Sequence, residues 1–278
     1  MADKSTFQGK ANTPIFWQSW PAVKPRACVV ISHGLGEHGG RYAPLAKTLL
    51  DLGFSVYAID HRGHGQSGAP RGLIRNFQHC VDDLDHLMTA VVAPQKCPII
   101  LLGHSMGGAI ATAYTLQHQD RLAALILSGA ALNSDMVPGA MKLVCKFLGA
   151  LAPRLPVLKI DPSLVSRDPE QVALYANDPL NSHGSVPIRT IAQMVATISG
   201  MPPKFNQISL PILILHGEED QLIPSKSSMA LHDSISSADK TVHIYPELYH
   251  EILNELEADR ARVSNDICEW LAVRFPVV

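Results

Sequence analysis

Ser105 stands between Gly103 and Gly107 in the stretch LLGHSMGGAIATAY, where a run of aliphatic residues ends and small residues take over. A serine in a Gly-x-Ser-x-Gly turn between a strand and a helix is placed as a nucleophile elbow. The turn is crowded, so its neighbours must be small, and Gly103, Gly107, Gly108 and Ala109 meet that demand. The helix that follows points its first N–H groups toward developing negative charge. A serine hydroxyl is a weak nucleophile until a base takes its proton, and the base needs an acid to orient it. After an elbow of this kind the chain should bring the acid first and the histidine second. PILILHGEEDQLIP supplies Glu218, Glu219 and Asp220 behind a strand-like run, and Asp220 is preferred as the carboxylate nearest the turn at Pro224. TVHIYPELYHEILNE supplies His250 on a loop ahead of the last helical segment. The expected triad is Ser105, Asp220 and His250. Acyl transfer also needs donors for an oxyanion: the N–H after the nucleophile, Met106, and one from the loop SHGLGEH, where Leu35 is the candidate. Each such donor is worth about 3–4 kcal/mol in the transition state.

Other chemistries compete for the same residues. Gly34-x-Gly36-x-x-Gly39 follows a strand-like run and Asp60 ends the next one, which together imitate a dinucleotide-binding fingerprint and an NAD-dependent oxidoreductase. A dinucleotide fold opens with that unit, whereas here a hairpin pattern precedes it, and GHSMGG would be left unexplained. His250-Glu251 begins a zinc-type H-E-x-x-H, but Asn254 holds the second histidine's place, so that metal reading fails. His33, His38, His61 and His64 lack an acidic or cysteine cluster and are expected to bond turns around the site. Asp60 and the HRGHGQSG loop are expected to shape the fold. Triad chemistry requires neither metal nor organic cofactor.

These groups must be positioned by a scaffold. ACVVIS, FSVYAI, PIILL, AALILS, PILIL and TVHIY are continuously apolar, as in strands of a parallel sheet covered on both faces. Between them, NFQHCVDDLDHLMTAVV carries Phe77, Cys80, Val81, Leu84, Leu87, Met88 and Val91 at helical spacing. The residues before this alternation, STFQGKANTPIFWQSW, read as a hairpin. The fold class is α/β, a mostly parallel, doubly wound sheet with right-handed crossovers. Residues 133–207 break the rhythm with prolines and short helical patterns. We expect a core of residues 1–132 and 208–278 and a helical cap over the strands' carboxyl ends, where ligands bind. With 278 residues, 46% apolar, the chain can bury one large core or two small ones. A formal net charge of -2 makes no demand for nucleic acid. Five scattered cysteines fit a reducing compartment rather than a disulfide framework. The polar N-terminus lacks a signal peptide's apolar region and no run is long enough to span a bilayer, so a cytoplasmic protein is expected.

The blocks SHGLGEHGGRY, DHRGHGQSG, LLGHSMGGAIA, LVSRDPEQVALYANDPL and LYHEILNE resemble those of monoacylglycerol lipases and lysophospholipase-type serine hydrolases, members of the α/β-hydrolases. The resemblance covers most of the chain, and its His-Gly-x-x-Asp pattern also favours Asp220. It implies hydrolysis of monoacylglycerols to fatty acid and glycerol, with a lysophospholipase or broad carboxylesterase as the alternative. It further implies that Glu37, Arg41 and Tyr175 lie at the glycerol end of the site. Two positions depart from the vertebrate enzymes: Leu253 replaces a glycerol-contacting histidine, and Asn181-Ser182-His183 stands where a cysteine follows Asp-Pro-Leu. In MKLVCKFLGALAPRLPVLK, Met141, Val144, Phe147, Leu148 and Leu151 form a helical stripe, with Lys142, Lys146, Arg154 and Lys159 as the charges. Such a segment suits transient contact with an anionic membrane surface, or packing on its own core.

Overall fold

The computed structural model describes residues 2–134 and 138–276, so residues 135–137 of the expected cap and the extreme ends of the expected core lie outside the described residues. All six expected strands form. A hairpin of β1 (Asp3–Gly9) and β2 (Thr13–Trp20) comes first, followed by β3 (Cys28–Ser32), β4 (Ser55–Ile59), β5 (Ile99–His104) and β6 (Ala124–Ser128). Two short strands, β7 (Pro156–Leu158) and β8 (Val186–Pro187), pair with each other inside the insertion. The chain then returns through β9 (Ile212–Gly217) and β10 (Lys240–Tyr245). The main sheet has the order β1-β2-β4-β3-β5-β6-β9-β10 and is parallel from β4 to β10; the hairpin joins antiparallel at its edge.

The unbroken apolar runs are explained by the pleat, which sends successive side chains to opposite faces. In β5, Leu101 enters one core layer while Ile100 and Leu102 enter the other. The first layer is roofed by α2 (Gln78–His86), α3 (Met106–His118) and α7 (Lys226–Ser234); the second by α1 (Ala43–Asp51) and α8 (Glu257–Arg274), completing a doubly wound α/β sandwich. Each fully buried aliphatic side chain contributes about 1.5–3 kcal/mol. After α2 the chain continues as a π turn over Leu87–Val92. That wider turn shifts the expected stripe at its end. Val92 is buried, and Val91 packs on the core while half-exposed.

The insertion runs from the end of β6 to the start of β9, neighbours in the sheet, so its removal would leave their pairing in place. It holds α4 (Gly139–Leu151), α5 (Pro169–Asn177) and α6 (Ile188–Ser199). Polar bonds tie it down: Ser182 N–H to Gly36 O at 2.7 Å, Thr190 Oγ1 to Gly72 O at 2.6 Å, and His38 Nε2 to Asp178 Oδ2 at 2.9 Å. Of the apolar stripe on α4, only Leu148 turns inward, onto a small cluster with Cys145, Ile188 and Ala192. Met141, Val144, Phe147 and Leu151 face outward, with Phe147 65% and Leu151 68% exposed. No helix among the described residues is long and apolar enough to cross a membrane.

One buried ion pair joins three parts of the fold at the hairpin edge. Asp83 on α2 accepts from Arg62 Nη2 at 2.6 Å and Nε at 2.9 Å, and its other oxygen accepts Lys10 N–H at 3.0 Å. Removing one partner leaves the other charge buried and uncompensated. Asp83→Ala is expected to lower unfolding free energy by about 3–5 kcal/mol, measured by urea denaturation; a loss under about 1 kcal/mol would show that water replaces the carboxylate.

Candidate active site

Parallel strands deliver their following loops to one edge of the sheet. Leu35 follows β3, Ser105 follows β5, Asp220 follows β9 and His250 follows β10. Ser105 occupies φ 52° and ψ -120°, a region that a side chain rarely adopts. Its N–H donates to Ser128 O at 3.1 Å, and its carbonyl accepts Ala109 N–H at 3.2 Å and Ala131 N–H at 3.1 Å. The turn closes because position 107 has no side chain: a Cβ on Gly107 would stand 2.0 Å from Ser32 O.

His250 Nδ1 donates to Asp220 Oδ2 at 2.6 Å, which leaves Nε2 as the nitrogen free to accept a proton. Asp220 is fixed by more than that bond. Its Oδ1 accepts the N–H groups of Leu222 and Ile223 at 2.8 and 2.9 Å, and Oδ2 also accepts His216 Nε2 at 3.1 Å. His216 is buried, and its Nδ1 faces Ser228 Oγ at 2.7 Å. Glu218 and Glu219 are exposed, so Asp220 alone of the three carboxylates reaches the histidine. Burial raises the Asp220 carboxyl, but the charge of His250 and these donors outweigh it and hold it well below the usual range. Burial likewise works against a charged His250, yet Asp220, then Glu251 and Glu37, outweigh it and raise the imidazole above its ordinary value.

Ser105 and His250 line a cavity of about 150 Å3, together with Leu35, Glu37 and Tyr175. One wall is apolar, built by Ile160, Val165, Ile191, Met194 and Ile223. The Leu35 loop crosses close to the serine: a Cβ on Gly34 would lie 3.2 Å from Ser105 Cβ. Gly36 takes φ +85° beside Tyr175, whose hydroxyl would be 3.2 Å from an added Cβ. Among the described residues, neither Leu35 N–H nor Met106 N–H donates to a protein acceptor, so both remain available to a ligand. The Met106 side chain itself is core.

Arg41 lies one layer back, on a second cavity of about 30 Å3 that shares Glu37, His104 and Glu251 with the first. Its Nη1 donates to Glu37 at 2.7 Å and to Glu251 at 2.8 Å, its Nη2 to Glu251 at 2.7 Å, and its guanidinium stacks 4.9 Å from the Tyr175 ring. Glu37 also accepts Gly34 N–H at 2.6 Å and Tyr42 OH at 2.9 Å, which fixes the Leu35 loop. Leu253 forms part of the smaller cavity's wall. Nothing in the sequence marks Glu251, His104 or His216 as members of the site. His104 sits in the elbow itself and packs its ring 4.8 Å from that of His250. In the sequence Glu251 stands out only as the second residue of the failed zinc motif.

The residues that imitate a dinucleotide-binding fingerprint serve the loops around the site. Both Asp60 carboxylate oxygens accept backbone N–H groups, of Gly39 and of Gln66, each at 2.8 Å, so they hold the two loops together. His33 Nε2 accepts His61 N–H at 2.9 Å and His64 Nδ1 faces Arg62 O at 3.0 Å, bonds that set the same turns.

Residues 23–257 match the hydrolase family described as serine aminopeptidase, S33. The chain is 39% identical to a monoacylglycerol lipase of Mycolicibacterium smegmatis, over 96% of this chain and 95% of that protein. It is 35% identical to a monoglyceride lipase of Rattus norvegicus, over 95% of this chain and 88% of that one. In three dimensions it is similar to the crystal structure of a Paleococcus ferrophilus monoacylglycerol lipase, with a TM-score of 0.84, 30% identity, and coverage of 94% of this chain and 99% of that chain.

The geometry sets a titration. The His250 imidazole, followed by NMR, should have its midpoint above the ordinary 6.5, and Asp220→Asn should move it down because the largest charge favouring imidazolium is gone. A midpoint below 6.5 in the wild type would mean that burial outweighs the carboxylates.

Proposed function

The chain belongs to the monoacylglycerol lipase family within the serine aminopeptidase (S33) hydrolases, and on that premise we propose that it cleaves monoacylglycerols to free fatty acid and glycerol through Ser105, His250 and Asp220. The observation that carries this reading is the Asp220–His250 bond of 2.6 Å beside a strained Ser105 on the wall of a cavity with an apolar side. His250 takes the proton of Ser105 as the serine oxygen attacks the ester carbonyl. The Leu35 and Met106 N–H groups receive the oxyanion. His250 then protonates the departing glycerol oxygen, and an acyl-serine remains. Water, deprotonated by His250, attacks that ester and releases the fatty acid, returning the proton to Ser105. The apolar wall takes the acyl chain, and Glu37, Arg41 and Tyr175 form the end nearest the head group.

The insertion of residues 133–207 acts as the cap of this site, and the outward stripe of α4 touches the membrane transiently. Support comes from its contribution of Ile160, Val165, Tyr175, Ile191 and Met194 to the cavity wall and from the exposed Phe147 and Leu151. An apolar face ringed by basic residues binds an anionic lipid interface through both burial and charge.

Two experiments test these assignments. Ser105→Ala should lower kcat on a long-chain monoacylglycerol by roughly 10⁴–10⁶ and abolish labelling by a fluorophosphonate; near-normal turnover would overturn the nucleophile. Phe147→Ser with Leu151→Ser should weaken sedimentation with anionic vesicles about a hundredfold or more, the size expected for losing two buried apolar side chains, while hydrolysis of a short soluble ester is retained. Equal vesicle binding by both proteins would remove the membrane role of α4.

A further inference from the structure

We propose that Glu251 is a specificity-determining residue: it makes the head-group end of the cavity net negative, so that an ester with an uncharged polyol head is accepted and the same ester bearing a phosphate is rejected. The proposal rests on the reading of the site as a monoacylglycerol hydrolase.

The two cavities share Glu37, His104 and Glu251 in their linings. Among the described residues lining either one, Arg41 is the only lysine or arginine. Three of its contacts already go to carboxylate oxygens, one to Glu37 and two to Glu251. Two carboxylates around one guanidinium leave one net negative charge, and all three side chains are shielded from solvent. Salt screens such a charge far less than it would a surface one. Glu251 cannot swing away easily, because its N–H donates to Val165 O at 2.8 Å and its carboxylate also accepts Asn254 Nδ2 at 2.9 Å.

Hydrogen-bond inventory points the same way. Ser128 Oγ lies buried on the wall of the smaller cavity without a partner. A ligand hydroxyl both donates and accepts, so it can donate to a carboxylate and exchange a bond with Ser128. An ionised phosphate only accepts, so it could take a bond from Ser128 but none from Glu37 or Glu251, which also only accept. Leu253 adds neither a donor nor a charge to that wall. With Glu251 neutralised, the Arg41–Glu37 pair is balanced and the guanidinium loses its bidentate partner, so the phosphate penalty falls.

The test uses 1-octanoylglycerol and 1-octanoylglycerol 3-phosphate below their aggregation concentrations, compared by kcat/KM in wild type and Glu251→Gln. The wild type should prefer the uncharged ester by roughly 100-fold, the size expected for like charges several ångströms apart at a partly desolvated site. Glu251→Gln should narrow that preference by about tenfold, whatever its effect on the absolute rate, because both substrates share the same triad. An unchanged ratio in a variant that still labels with a fluorophosphonate would overturn the proposal. Should that variant fail to fold, inhibition of the wild type by 1-O-octylglycerol and by its 3-phosphate decides: the phosphate should bind roughly 100-fold more weakly, and equal inhibition overturns the proposal. A wild type that cleaves p-nitrophenyl octanoate but not octanoylglycerol overturns the underlying reading instead.

Discussion

Ser105 is held at φ 52° and ψ -120°, a conformation that costs a non-glycine residue about 1–3 kcal/mol. It persists because the surroundings determine it several times over. Its N–H is bonded to the end of β6, its carbonyl to α3 and to the segment after β6, and Gly107 lets the β3 strand end pass within contact of the turn. The strained residue sits on the wall of the cavity at the strands' carboxyl ends. The core on both faces of the sheet is therefore the support for one unfavourable residue. Close packing is what lets a small turn stay strained.

Charge is arranged with similar economy. Three carboxylates, Asp220, Glu251 and Glu37, surround His250 and outweigh the desolvation that would keep it neutral. In the proposed mechanism the histidine becomes an imidazolium when it takes the serine proton, so this field would stabilise the transition state more than the ground state. The same field acts on any ligand. Under the proposed selectivity, a negative head group would meet two of those carboxylates, Glu37 and Glu251, which also line the cavity beside Ser105. One charge distribution would then serve both the base and the selection of what it acts on.

Much of this was legible in the sequence. Strands buried on both faces must be apolar throughout, which makes β3 to β6 and β9 visible as runs; β10, expected as another such strand, is the sheet's edge and is mostly half-buried, which is why its run carries Thr241 and His243. Their parallel arrangement then brings Ser105, Asp220 and His250 to one edge without any contact being known in advance. What stayed hidden depends on pairing across long separations. Arg41 and Glu251 are 210 residues apart, and nothing local to either marks the bond between them. His216 looked like part of a motif flanking Asp220, although it is one of the donors that fixes the acid. Periodicity also has limits: the stripe on α4 was readable, but which side of it would be covered was not, since a pattern defines a face and not its neighbour. At Val91 a π turn altered the period itself.

The insertion's anchors fall on the loops that shape the polar end. Ser182 bonds Gly36, next to Leu35 and Glu37; Asp178 bonds His38; Val165 accepts the N–H of Glu251; and Tyr175 supplies the ring beneath Arg41. Arg167 adds bonds to Glu255 and Asp259, just past the histidine loop. A shift of this segment would therefore move the Leu35 loop, the Glu251 carboxylate and the apolar wall together. The outward face of α4 shares none of these bonds, so its chemistry can vary without disturbing the triad. One side of the insertion is thus constrained by polar bonds to the loops of the core, and the other, the outward stripe of α4, is constrained only by exposure.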